Sequence, residues 1–179
     1  MNKLKIGCLL LAILIATYCT NINKSNISNT SIEILYLKGK VETTKVISCG
    51  TLKKGKTAFG IGDTVIQDKH IFNQILNQII KLKAIKVDSL TSSCDIRMQC
   101  KIKLENRDTI QVCIGEFNCI VKDGFLMGNN DTLVYLMRKY SGYYNYFSKE
   151  DLAYFNELKQ FAVPGNYKDL RREITPRIP

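Results

Sequence analysis

The chain predicts an α+β fold, an antiparallel sheet of hairpins with two or three helices packed on one face. Three observations predict it. CDIRMQCKIKL, Cys94 to Leu104, alternates apolar and polar residues, the pattern of a strand with one face in a core. Turn residues at Glu105-Asn106-Arg107, Gly115-Glu116 and Lys122-Asp123-Gly124 cut the chain that follows into short strands. DKHIFNQILNQIIKL, Asp68 to Leu82, instead repeats its apolar residues with a 3.6-residue period, as an amphipathic helix does.

In chain order, Ile32 to Leu37 and Thr44 to Leu52 read as the first strands. Lys53-Lys54-Gly55-Lys56 reads as a hairpin turn, with Thr57 to Ile61 returning as a strand. The helix follows. Asp68 is its N-cap, and Ile71, Phe72, Ile75, Leu76, Ile79, Ile80 and Leu82 form its apolar stripe. In the next strand, Cys94, Ile96, Met98, Cys100, Ile102 and Leu104 face the core, while Asp95, Arg97, Gln99, Lys101 and Lys103 face solvent. A three-residue loop pairs Ile102 with Ile110 and Cys100 with Val112; a two-residue turn would slip the register and mismatch the faces. Beyond Gly115-Glu116, the residues Phe117, Cys119 and Val121 are expected on that same inner face. Phe125-Leu126-Met127 follows the next turn.

Asn130 or Asp131 then caps a second helix, with Leu133, Leu136, Met137 and Tyr140 inward and Gly142 as its stop. Ser148-Lys149-Glu150-Asp151 has the capping-box pattern of a third helix carrying Leu152, Phe155, Leu158 and Phe161. Each half thus reads as strands and then a helix, a weak internal strand-strand-strand-helix repeat.

The N-terminus sets the compartment. MNKLK and the uncharged run Ile6 to Tyr18 make residues 1–19 a signal peptide or membrane anchor. Ala16-Thr17-Tyr18-Cys19 resembles a lipoprotein box with Cys19 as the lipidation candidate, although Tyr18 stands where a small residue is usual. Lipidation, plain secretion and an uncleaved anchor all remain open. Residues 20–31 are a polar, Asn- and Ser-rich leash expected to be disordered. Residues 32–163 form a single α+β domain, and 164–179 a loosely ordered basic tail.

The chain has 26 basic and 16 acidic side chains; residues 1–19 hold two of the basic ones and no acid, which leaves +8 after them. The charges are scattered, which suits a solvated surface better than a nucleic-acid site. Five of the seven cysteines lie in the body: Cys49, Cys94, Cys100, Cys113 and Cys119. An odd count makes no closed disulfide framework. Cys94 and Cys100 lie roughly 20 Å apart on one strand, and Cys119 about 9–10 Å from Cys100, too far to bond. Cys94, Cys100 and Cys119 are therefore expected as small core hydrophobes. Cys113 points to the opposite face, and a disulfide involving Cys49 stays open. No Cys-x-x-Cys occurs and His70 is the single histidine, so no metal site and no Ser-His-Asp triad is expected. His70 itself falls in the first turn of a helix, exposed.

GTLKKGKT, Gly50 to Thr57, matches the phosphate-binding loop pattern G-x-x-x-x-G-K-[ST]. That loop works only where its lysine and hydroxyl begin a helix. Here Gly60 and Gly62 follow, and the surroundings read as hairpins. No nucleotide or other cofactor is expected. SGYYNYF, Ser141 to Phe147, clusters Tyr143, Tyr144, Tyr146 and Phe147. These either pack the end of the second helix or, through Tyr143, Tyr144 and Tyr146, contact a partner.

The signal and leash, the helix beginning Asp68-Lys69 with Ile71, and the hairpin sheet beginning DIRMQCKIKL resemble small exported bacterial lipoprotein domains of unknown function. The resemblance covers residues 1–141 and implies no activity and no site residues. The expectation is an exported, membrane-tethered cell-envelope domain that binds a protein or envelope component without catalysis. The alternative is a carboxylate-based hydrolase acting on an envelope glycan.

Overall fold

In the computed structural model, which describes residues 30–42, 45–52, 60–86, 94–106 and 108–171, six strands form one antiparallel sheet. They are β1 (Ser31–Leu37), β2 (Ile61–Ile66), β3 (Ile96–Lys103), β4 (Thr109–Gly115), β5 (Ile120–Lys122) and β6 (Phe125–Met127). Their order is β2-β1-β3-β4-β5-β6. Helix α1 (Lys69–Ile80) crosses from β2 to β3, and α2 (Asp131–Ser141) follows β6. A 3-10 turn (Tyr143–Tyr146) and two short helices, α3 (Lys149–Leu152) and α4 (Glu157–Gln160), complete the described chain.

The expected register holds. Ile102 pairs with Ile110 and Cys100 with Val112. Met98, Cys100, Ile102, Val112 and Ile114 thereby face the helices, with Phe72, Ile75, Ile79, Leu133 and Met137 packed on them. Burial of each such side chain stabilises the fold by about 1.5–3 kcal/mol. The caps hold too. Asp68 Oδ1 accepts from Ile71 N at 2.9 Å, and Asn130 Oδ1 from Leu133 N at 2.9 Å. Asp123 and Gly124 take positive φ angles of 48° and 88° between β5 and β6, as a tight hairpin turn requires.

Several expectations need correcting. Lys45 to Leu52 is not a strand but a looped cover laid on the second face of the sheet. There Leu52 joins Leu37, Ile96 and Cys113 in a small second core. Gln99, expected in solvent, is buried at 4% exposure, as is Arg97 at 8%. Ile80, expected inward, is exposed. The third helix is two short pieces, because the chain turns at Ala153 after a true Ser148–Asp151 capping box. Among the described residues two strands precede α1 and four lie between it and α2, not three in each half as a repeat requires. The start of the tail is fastened as well. Tyr167 Oη donates to the Phe147 carbonyl at 2.8 Å, and Leu170 N to the Asn145 carbonyl at 2.7 Å.

The cysteines differ in part from expectation: Cys100 is a core thiol and Cys113 lies on the second face, as expected, but Cys94 and Cys119 are bonded rather than small core hydrophobes. Cys49 bonds to Cys113, and Cys94 to Cys119; Cys100 is free and buried. The cause is a bulge. Ile96 pairs with Gly115, but Met98 pairs with the adjacent Ile114, so Arg97 is an extra residue in β3. One extra residue inverts which face each earlier side chain takes. Ile96 and Cys94 therefore belong to the second core, not the first. The turn after β4 also runs longer than expected, to Cys119. Val121 then sits opposite Cys113 on the second face, while Ile120 takes the inner one.

Candidate functional site: an aromatic cleft

At one end of the sheet, the exit of β1 (Gly39, Lys40, Val41), the head of β3 (Arg97) and the exit of β4 (Glu116, Phe117) come together. The chain after α2 descends onto them with Tyr143, Phe147, Asp151, Tyr154 and Phe155. They enclose a cleft of about 130 Å³. Its inner wall is a ring cluster. Phe147 meets Phe155 edge-on at 5.0 Å between centroids, and Tyr143 lies 4.9 Å from Phe147. Its rim carries two exposed aromatics, Phe117 at 83% exposure and Tyr154 at 81%, the latter with Lys40 Nζ 6.0 Å from its ring centroid.

Two ion pairs flank the mouth. Lys40 Nζ lies 2.5 Å from Asp151 Oδ1, and Arg97 Nη2 lies 3.0 Å from Glu116 Oε2. Arg97 also reaches Asp95 Oδ2 at 2.5 Å and donates to the Val41 carbonyl at 2.6 Å, so it ties the β1 exit to the β4 exit. The hydrogen bond from Lys40 holds the Asp151 carboxyl below its ordinary range against the opposing pull of burial. Among the residues that line the cleft, Lys40 and Arg97 match Glu116 and Asp151, and Asp95 behind Arg97 adds a third carboxylate.

The turn that presents Phe117 is held from several sides. Gly115 N donates to Cys119 O at 2.8 Å, and Glu116 N to Asp95 O at 3.1 Å. The Cys94–Cys119 disulfide lies directly over Gly115, where a Cβ would stand 2.3 Å from one sulfur and 2.8 Å from the other. Glycine is therefore required at 115. Asn118 adopts a positive φ of 60° and turns its amide inward. Its Oδ1 accepts from Arg138 Nη1 at 2.9 Å, and its Nδ2 donates to Glu157 Oε2 at 2.9 Å.

Arg138 and Glu157 are 1% and 0% exposed and meet at 2.6 Å. Such a pair survives burial only with further hydrogen bonds. Here Tyr144 Oη donates to Glu157 Oε1 at 2.8 Å, and Arg138 Nη2 donates to the Gly115 carbonyl at 3.1 Å. Burial pushes the Glu157 carboxyl up, but Arg138 and the hydrogen bonds from Asn118 and Arg138 outweigh it, leaving the group below its ordinary range. The guanidinium also stacks 4.9 Å from the Phe155 ring and 5.2 Å from Tyr143, beneath the cleft wall.

No family model, no curated protein and no solved structure matches this chain.

Of the tyrosines singled out in the sequence, Tyr143 and Tyr144 are buried. Tyr146 is half-buried, 6.1 Å from the Tyr36 ring with Lys38 over its face. Tyr143 backs the cleft and Tyr144 holds Glu157. Cys19 lies outside the described residues, as do Lys53 to Thr57 of the phosphate-loop pattern. The sheet beside that pattern is antiparallel, whereas a phosphate loop needs parallel strands alternating with helices. His70, exposed on α1, meets Gln74 at 2.9 Å. Among the described residues no group of three or more His, Cys, Asp or Glu side chains is placed to hold a metal ion. Sequence reasoning missed Phe117 and Tyr154. Phe117 is expected from the sequence on the inner face with Cys119 and Val121, and its outward position follows from ties on its turn that the sequence does not display.

Proposed function

We propose that this chain is an exported, membrane-tethered cell-envelope domain that binds a partner through the cleft, without catalysis. One observation carries the binding reading. Phe117 is a large apolar side chain held out in water by a turn fixed through a disulfide, a buried ion pair and Arg97. Scattered surface aromatics need no explanation, but an aromatic pair on a braced cleft is the arrangement of a binding anchor. Bracing lowers the ordering cost of association. Export is supported by the two disulfides, which persist in oxidising compartments. The tether rests on residues 1–31 as read from the sequence, with lipid on Cys19 or an uncleaved anchor as its two forms.

The hydrolase reading draws no such support. A glycosidase needs one carboxyl raised toward neutrality as its acid. Asp151 at the cleft is lowered instead, and the lowered Glu157 is fully buried.

A photo-crosslinking residue at 117, introduced in living cells, tests the reading, with position 125 as control. Phe125 is also exposed but lies on the edge strand β6. A discrete adduct from 117, absent from 125 and lost in Tyr154→Ser, is expected. Equal labelling from both positions, or none from 117, would sink it.

A further inference from the structure

We infer that the occupant of the cleft is a single apolar side chain, aromatic or branched aliphatic, from a polypeptide segment of another protein that carries an acidic and a basic residue beside it. This deepens the proposed binding function and rests on it.

Size comes first. Small-molecule sites usually offer about 300–1,000 Å³. The cleft's 130 Å³ suits one side chain, and ring edges from Tyr143, Phe147 and Phe155 line it. Charge comes second. The groups at the mouth are already matched in opposite pairs, and the members facing water are Lys40, 69% exposed, and Glu116, 52% exposed. An anionic lipid surface is read by cations of one sign. A peptide can keep its anchor neutral and set an acid toward Lys40 and a base toward Glu116.

Position comes third. β1 enters the sheet at Ser31, which pairs with Lys103, and leaves at Leu37, which leads to the cleft. Six residue steps of strand separate the two ends by roughly 20 Å. A tether joined before Ser31 therefore places the cleft at the end of the sheet remote from its own attachment, turned toward other molecules rather than its own bilayer.

The full chain, purified in mild detergent, is titrated against fluorescein-labelled peptides Gly-Asp-Phe-Lys-Gly and Gly-Asp-Ala-Lys-Gly, and anisotropy is read. Chito-oligosaccharide and phosphatidylglycerol vesicles serve as further probes. The phenylalanine peptide should bind at least about tenfold more tightly than the alanine peptide, as expected for loss of a central anchor. Phe117→Ser should abolish the difference while melting like wild type. Equal affinity for the two peptides overturns the inference. So does binding that only vesicles or the oligosaccharide produce, or a 117 adduct that proves to be a second copy of this chain. If the 117 adduct forms with another protein while neither peptide binds, the anchor chemistry is wrong and the binding function stands. If the adduct itself fails, the function falls first.

Discussion

Arg138 on α2 donates to the carbonyl of Gly115 at 3.1 Å, 23 residues back in the chain. Through that contact and Asn118, helix α2 grips the turn that presents Phe117. Breaking the grip should cost far more than a surface contact. Glu157→Gln leaves Arg138 buried without its counter-ion, and loss of one partner of a buried pair costs about 3–5 kcal/mol. Urea melts at neutral pH should show that loss.

The same pair predicts a pH dependence. The folded Glu157 carboxyl sits below its ordinary range, so its contribution is fully present above the unfolded value, about 4.3. It is lost as pH falls through the lower folded value. The stability gap between wild type and Glu157→Gln should be constant from pH 7 to about 5 and narrow progressively below about pH 4. A gap that stays constant into strong acid would show that Glu157 is not the ionised partner.

Gln99 offers a test in the opposite direction. It is buried with its Oε1 unpartnered. An apolar residue of similar size relieves that unsatisfied acceptor, which costs about 1–3 kcal/mol as it stands. Gln99→Met should therefore be neutral or stabilising in a thermal melt. Gln99→Asp should be severely destabilising, as should Met98→Asp on the other face, since both bury an unpaired carboxylate.

Each disulfide closes a long loop, with sequence separations of 64 and 25 residues. Loop entropy predicts on the order of 3–4 kcal/mol from each. Reduction should lower the melting temperature sharply, and Cys49→Ala with Cys113→Ala should expose the second core to proteolysis near Leu52. Cys100→Ala should change the response to reductant little, because that thiol takes no part in either bridge.

Gly115→Ala should behave like a disulfide mutant. The added methyl would collide with both sulfurs of Cys94–Cys119. Intact-mass measurement after alkylation should show two additional modified thiols, those of Cys94 and Cys119, if the bridge is expelled.

Much of this architecture could be read in advance, and the failures share a cause. Periodicity specified α1 and α2, because each buries one stripe of side chains against a single core, and it specified the inner stripe of β3 from Met98 to Ile102. It placed Ile102 opposite Ile110 through loop length alone. It could not reveal the bulge at Arg97, since Cys94, Ile96 and Met98 alternate in sequence whether or not the strand keeps step. It could not reveal that the loop from Lys45 to Leu52 packs on the second face of the sheet, the face that also holds Gln99 opposite Cys113. Of the cleft, the ring cluster around Tyr143 was visible as composition, but the outward Phe117 depends on tertiary ties from Cys94, Arg97 and Arg138.

The extra residue in β3 also governs how the thiols find one another. Cys100 follows the bulge and lies under the helices; Cys94 precedes it and lies on the reverse of the sheet with Cys49 and Cys113. Sheet formation therefore acts as a partition. Once β3 and β4 are zipped, Cys100 is sealed on the side where no bridging cysteine lies, and an oxidant meets only the correct set. A chain oxidised before that zipping has no such sorting and risks trapping Cys100 in a wrong bridge. Oxidation of the unfolded chain thus sets a race between strand pairing and bridge formation, and Arg97, by its mere presence as one residue too many, decides which side of the sheet Cys94 is on when the race ends.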